Sequence, residues 1–118
     1  MEIKIKRVYE QPEKQDGIRI LVDRLWPRGL SKEKAKIDLW VKELAPSNDL
    51  RKWYGHEPAK WEEFKKRYIA ELDKQAAEVK KLAHTIGKDQ VTFLFSSKEE
   101  KINNARALKI YMEKPRSP

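Results

Sequence analysis

Two β-prone apolar runs, residues 18–22 and 91–95, flank a long helical stretch, and this arrangement restricts the fold more than any other feature of the chain. Val91-Thr92-Phe93-Leu94-Phe95 lacks the alternation of apolar and polar residues that a strand with one wet face requires, so it reads as a central strand buried on both faces. Strands of that kind belong to parallel sheets, whose strands are joined by helical crossovers. The pattern predicts an α/β fold in one layered domain over 1–118, a small, mostly parallel sheet flanked by helices, with the two runs parallel in one sheet. Their carboxyl ends then point the same way, toward the crevice where open α/β sheets bind ligands.

The remaining punctuation fits this frame. Ile3, Ile5 and Val8 open a first strand, and the polar stretch 10–17, with Pro12 and Gly17, suits a loop or hairpin. Ser31 caps a short helix with Glu33 in its first turn. Leu39, Val41 and Leu44 form an extended segment, after which Ser47 or Asn48 starts a short helix through Leu50 and Trp53 that Gly55 closes. From Pro58, the residues Trp61, Phe64, Tyr68, Leu72, Ala76, Val79 and Ala83 recur every three or four positions, predicting one long helix that Gly87 ends. Ala105, Leu108 and Met112 mark a final helix, and 115–118 reads as a frayed tail.

A chain of 118 residues without cysteine has length enough for a core and cannot use thiol catalysis, disulfides or cysteine-ligated metals. Its N-terminal Met1-Glu2-Ile3-Lys4-Ile5-Lys6 alternates charge with apolar residues, and no apolar run reaches membrane-spanning length, so a cytoplasmic protein with no membrane partner is expected. The formal net charge of +8 favours anionic partners. Basic and acidic residues interleave, as in Trp61-Glu62-Glu63-Phe64-Lys65-Lys66-Arg67, whereas a dedicated nucleic-acid face clusters its charge.

The first of the two apolar runs empties into Asp23-Arg24-Leu25-Trp26-Pro27-Arg28-Gly29, and the second into Ser96-Ser97-Lys98. Arginine forks suit bidentate binding of phosphate or carboxylate, which makes Arg24 and Arg28 candidate anion ligands together with Lys98. The bland alternative has Asp23 pairing one of these arginines to pin the loop. Trp26 and Trp53 can stack on a ring or simply pack. His56 follows a helix stop and titrates near neutrality, so with Asp23 orienting it, it is the candidate proton-transfer pair; His84 reads as surface. Tyr68 lies on the apolar stripe with its hydroxyl directed to the crevice. Asn103 and Asn104 can cap the last helix or donate to a ligand. Only two histidines exist, neither spaced with a carboxylate as on a zincin helix, so no metal is expected. Without a Walker loop, a dinucleotide glycine fingerprint or a Gly-x-Ser-x-Gly elbow, no cofactor is expected either.

Five separated blocks follow one another in the order of a known family. Residues 22–35, 42–47 and 50–56 are followed by Trp61-Glu62-Glu63-Phe64-Lys65-Lys66-Arg67-Tyr68 and by Asn103-Asn104-Ala105. Together they closely resemble the YeaO-like branch of the domain of unknown function 488 family. The resemblance spans most of the chain and implies a small α/β protein; it brings no established reaction with it.

Two functional readings remain open at this level. In one, a phosphorylated or other anionic small molecule, such as a nucleotide, binds among Asp23, Arg24, Arg28, His56 and Lys98. In the other, the chain is a nucleic-acid-binding accessory protein that uses its net charge and two tryptophan platforms. Convergent arginines favour the first, and arginines spread along a groove favour the second.

Overall fold

A computed structural model describes residues 2–114; the tail expected over 115–118 lies outside the described residues. Four strands, β1 (Ile3–Arg7), β2 (Ile18–Leu21), β3 (Leu39–Trp40) and β4 (Val91–Phe95), form one sheet in the order β1-β4-β2-β3, and every neighbouring pair is parallel. Ile18 faces Val91 and Leu21 faces Leu94, so the two apolar runs are adjacent, in register, and end together. Pairing continues past β2, where the Val22 amide donates to the Leu94 carbonyl over 3.1 Å. All five residues of β4 are buried, which accounts for the missing alternation.

The two faces of the sheet differ. One carries Ile3, Ile20, Val22, Val91, Phe93 and Phe95 into the main core beneath α2 (Asn48–Tyr54), α3 (Trp61–Asp73), α4 (Ala76–Ile86) and α5 (Asn104–Glu113). The other face is thinner. Val8, Leu21 and Leu94 meet Ala35 of α1 (Lys32–Ala35), with Trp26 and Trp40 packed against them. Next to this smaller cluster the sheet carries charge: Arg19 and Asp16 are both 4% exposed, and a 2.5 Å ion pair joins them. The Arg19 guanidinium also donates to the Ala35 and Lys36 carbonyls, while Lys6 reaches Asp16 from β1. Arg19 can therefore sit within an otherwise apolar strand, because it and Asp16 both have partners.

Since β1 and β2 are parallel, the stretch 10–17 is a crossing loop rather than a hairpin. It passes over β4, whose Thr92 hydroxyl donates 2.7 Å to the Asp16 carbonyl. Gly17 ends it at φ 67° and ψ −139°, a backbone region open essentially to glycine alone. A Cβ there would lie 2.2 Å from the Gln90 carbonyl oxygen, which accepts the Ile18 amide bond. Gly17→Ala is therefore expected to lower stability by about 1–3 kcal/mol, read as a shift in the urea midpoint at unchanged slope.

The expected long helix is two helices. The Lys74 and Gln75 amides turn back to Glu71 and Leu72, three residues earlier, and Gln75 leaves helical geometry at φ −108° and ψ 36°. A straight helix over 61–86 would run about 39 Å, longer than the 34 Å extents of the molecule. Past the break, Val79, Leu82 and Ile86 fill the core; Ala76 is exposed and Ala83 only half-buried, contrary to the stripe expected from the sequence. Ser31, Ser47 and Asn103 cap α1, α2 and α5 through bonds to the Lys34, Leu50 and Arg106 amides. At the sheet edge, the Ile3 amide donates to Glu113 and its carbonyl accepts from Lys109, both on α5.

Candidate functional site

The carboxyl ends of β2 and β4 open into a cavity of about 300 Å³. Asp23 and Ser96, the residues just past the two adjacent strands, form its floor. Asp23 Oδ2 accepts from the Ser96 amide at 2.8 Å and from the Ser96 hydroxyl at 2.7 Å. Asp23 Oδ1 accepts from the Asn104 side chain at 3.0 Å, and the same amide group reaches the Val22 carbonyl. The carboxylate thus ties both strand ends to the start of α5. Among the described residues it pairs with no arginine and makes no hydrogen bond to His56, so it orients neither. Beneath the floor, Arg7 donates to the Ser97 and Ser96 carbonyls and fixes the turn after β4.

One wall is the segment between β3 and α2. Three successive carbonyls are held there: Tyr68 donates to that of Leu44, and Arg24 to those of Ala45 and Pro46 over 3.1 Å each. The Ser47 amide and hydroxyl then donate to Glu71 of α3, which sets the direction of α2. Arg51 on α2 lines the cavity with its guanidinium exposed and anchored only to Asn48 at 3.2 Å. Beyond α2, Gly55 and His56 both adopt positive φ, 52° and 57°, and this double left-handed turn brings the exposed imidazole back to the cavity, 5.6 Å from the Tyr54 ring. Burial, and secondarily the charge of Glu99, pushes the Tyr54 phenol up to about 12. It stays a neutral donor, bonding the Ile102 carbonyl at 2.7 Å.

The opposite wall is the loop after β2. Trp26 lines the cavity, its indole N–H donates to the Leu30 carbonyl, and its ring packs edge-on against Trp40 at 5.5 Å. Arg28 is exposed, and among the described residues its guanidinium has no partner. Tyr9 bridges to this loop through a 2.8 Å bond from its hydroxyl to the Arg28 carbonyl.

Asp23, Arg24, Trp26, Arg28, His56 and Asn104 therefore line one cavity. Tyr68, Asn103 and Lys98 do not. The Tyr68 hydroxyl is buried on the Leu44 carbonyl, and burial holds its pKa far above the ordinary phenol value. Asn103 is wholly buried as the cap of α5, its side-chain amide donating to the Glu99 carbonyl. Lys98 is exposed outside the cavity lining. Trp53 is also elsewhere: the Arg67 guanidinium sits 4.0 Å from its ring centre and the Lys60 ammonium 5.0 Å. Arg51, Tyr9 and Leu25 also line the cavity, although no motif in the sequence marks them. The available signal for Arg51 was its place one helical turn before the Gly55-His56 stop.

A family model described as the inactive DUF488-N3 subclade matches residues 2–116. The chain belongs to that family. The match to this DUF488-N3 subclade takes in the loop after β2, α2 and the start of α5, from which the cavity is lined. The chain is 44% identical to the uncharacterized protein YeaO of Escherichia coli K12 over 108 residues, covering 92% of this chain and 94% of YeaO. Uncharacterized proteins of Mycobacterium tuberculosis and Mycobacterium bovis are each 45% identical over 82 residues, 68% of this chain and 70% of theirs. No solved structure gives a significant match. Among the described residues of this DUF488-N3 member, no helix is long and apolar enough to cross a membrane, and no cluster of metal-ligating side chains occurs.

Proposed function

We propose that this chain binds a phosphorylated or other anionic small molecule, such as a nucleotide, in the cavity at the carboxyl ends of β2 and β4. One observation carries the reading: Arg24, Arg28, Arg51 and His56 border a single cavity where, among the described residues, the one carboxylate, Asp23, already accepts three hydrogen bonds. Arg24 spends two of its N–H groups on backbone and supports the wall; Arg28 and Arg51 keep the free donors. A doubly charged phosphate monoester suits that balance better than a monoanion. The matched family model is described as inactive, which accords with a reading that invokes no turnover.

Calorimetry with inorganic phosphate and nucleoside monophosphates tests this. Arg28→Ala is expected to weaken binding about tenfold to a hundredfold, the worth of one or two charge-assisted hydrogen bonds. A labelled oligonucleotide titrated across a salt series is the counter-test, since one lost phosphate contact lowers a polyelectrolyte salt slope by only about one. Tight, steeply salt-dependent oligonucleotide binding with no heat from small anions would replace the cavity reading with the nucleic-acid one.

A further inference from the structure

Beside the exposed Arg28, Arg51 and His56, the cavity has an apolar lip. Leu25 and Tyr9 line it and are 59% and 41% exposed. Only Ile69 and Ile110 share such exposure among the large hydrophobics of the described residues, and neither borders a cavity wall named above. Leu25 lies between the cavity-lining Arg24 and Trp26, on a loop whose neighbours turn inward to pack. Tyr9, tied to the same loop, is fixed as well as exposed: the Arg7 guanidinium lies 5.1 Å from the centre of its ring, and its hydroxyl donates to the Arg28 carbonyl. A compact anion seated among Arg28, Arg51 and His56 would leave both apolar surfaces in water. The Tyr54 and Phe64 rings are stacked on each other at 4.2 Å and both are buried, so one face of each is already covered and little of either ring is open to a ligand.

Resting on the anion-binding reading, we infer that the ligand is a phosphate monoester whose ester oxygen carries an apolar or aromatic body, with the phosphate among the arginines and the body against Leu25 and Tyr9. Such a ligand matches both parts of the site: charge complementarity inside, and at the lip an apolar surface that binding removes from water. The geometry also orders the ligand, since a polar body at the lip would contact Leu25 without gain.

Calorimetry with phenyl phosphate, glycerol phosphate and inorganic phosphate as probes tests the inference on the full chain. The parent protein should bind phenyl phosphate about tenfold more tightly than glycerol phosphate, the gain expected from covering much of one leucine and one ring face. Leu25→Ser should reduce that ratio to within about twofold and leave the affinity for inorganic phosphate unchanged; because Leu25 is exposed, the melting midpoint should not move. Equal affinities for the phenyl and glycerol esters, or a ratio that survives Leu25→Ser, would overturn the apolar-body inference and leave the anion cavity standing. Failure of all three probes to bind would overturn both.

Discussion

Replacing Phe64 by alanine is expected to lower the unfolding free energy by about 3–5 kcal/mol, the usual range for emptying a buried phenylalanine site. Phe64 is 1% exposed and its ring is stacked 4.2 Å from Tyr54, with Trp61 at 5.8 Å and Tyr68 at 5.7 Å. Aromatic pairing of this kind adds about 0.5–1.5 kcal/mol to simple burial, so the upper half of the range is favoured. The same substitution removes part of the cavity wall, and its effect on ligand affinity must be measured well below the lowered midpoint. Equilibrium denaturation in urea decides the matter: a midpoint unmoved by Phe64→Ala would mean that α3 does not present this face to the sheet.

A large loss is also expected for Asp16→Ala. Asp16 is nearly inaccessible and accepts from the Arg19 guanidinium, the Lys6 ammonium and the Glu13 amide. Its removal leaves Arg19, itself 4% exposed, as a buried charge without its carboxylate, a change that costs about 3–5 kcal/mol. Arg19 would keep its bonds to the Ala35 and Lys36 carbonyls, which sets the expectation toward the lower end. The native Asp16 also makes stability depend on pH. Burial pushes its pKa up, but hydrogen bonds from the Glu13 amide, Lys6 and Arg19 outweigh that and hold it below the ordinary 3.8. The folded state therefore favours the ionised form, and the stabilisation is complete above the unfolded value and disappears as the pH falls below it. Glu113 behaves alike: burial is outweighed by Lys109 and the Ile3 amide, and its pKa falls below 4.5. Midpoints measured from pH 6 to pH 2 should fall steeply at the acid end in the parent and less so in Asp16→Ala. Parallel curves would show that the acid sensitivity arises elsewhere.

The sheet was legible in the sequence because burial on both faces leaves a direct mark, the unbroken apolar run of β4. The convergence of Asp23 with Ser96 followed from it, since two adjacent parallel strands in register must end side by side. The break at Gln75 was not legible. No proline or glycine marks it, and the spacing of Leu72, Ala76 and Val79 continues through it, while a straight helix of that length would outrun the 34 Å extent of the molecule. The spacing puts Tyr68 on the core stripe, where it lies, but not its hydroxyl on the Leu44 carbonyl: a period fixes the face of a helix, while the carbonyl that a buried hydroxyl meets depends on a segment 24 residues away. Arg51 was hidden for the same reason, because the turn that brings α2 beside the loop after β2 depends on the Ser47 bonds to Glu71, a contact across elements.

The bonds of Ile3 to Lys109 and Glu113 bear on how molecules of this protein behave toward one another. A parallel sheet ends in rows of unpaired amides and carbonyls, and an outer strand of that sort is a template on which another chain can pair. Here the last helix reaches across and occupies the first outward-facing groups of β1, while Arg7, at the far end of the strand, has its amide taken by Glu10 at 2.9 Å. The C-terminal helix thus acts as a selvedge, closing the fabric at the margin where it would otherwise fray into intermolecular β-structure.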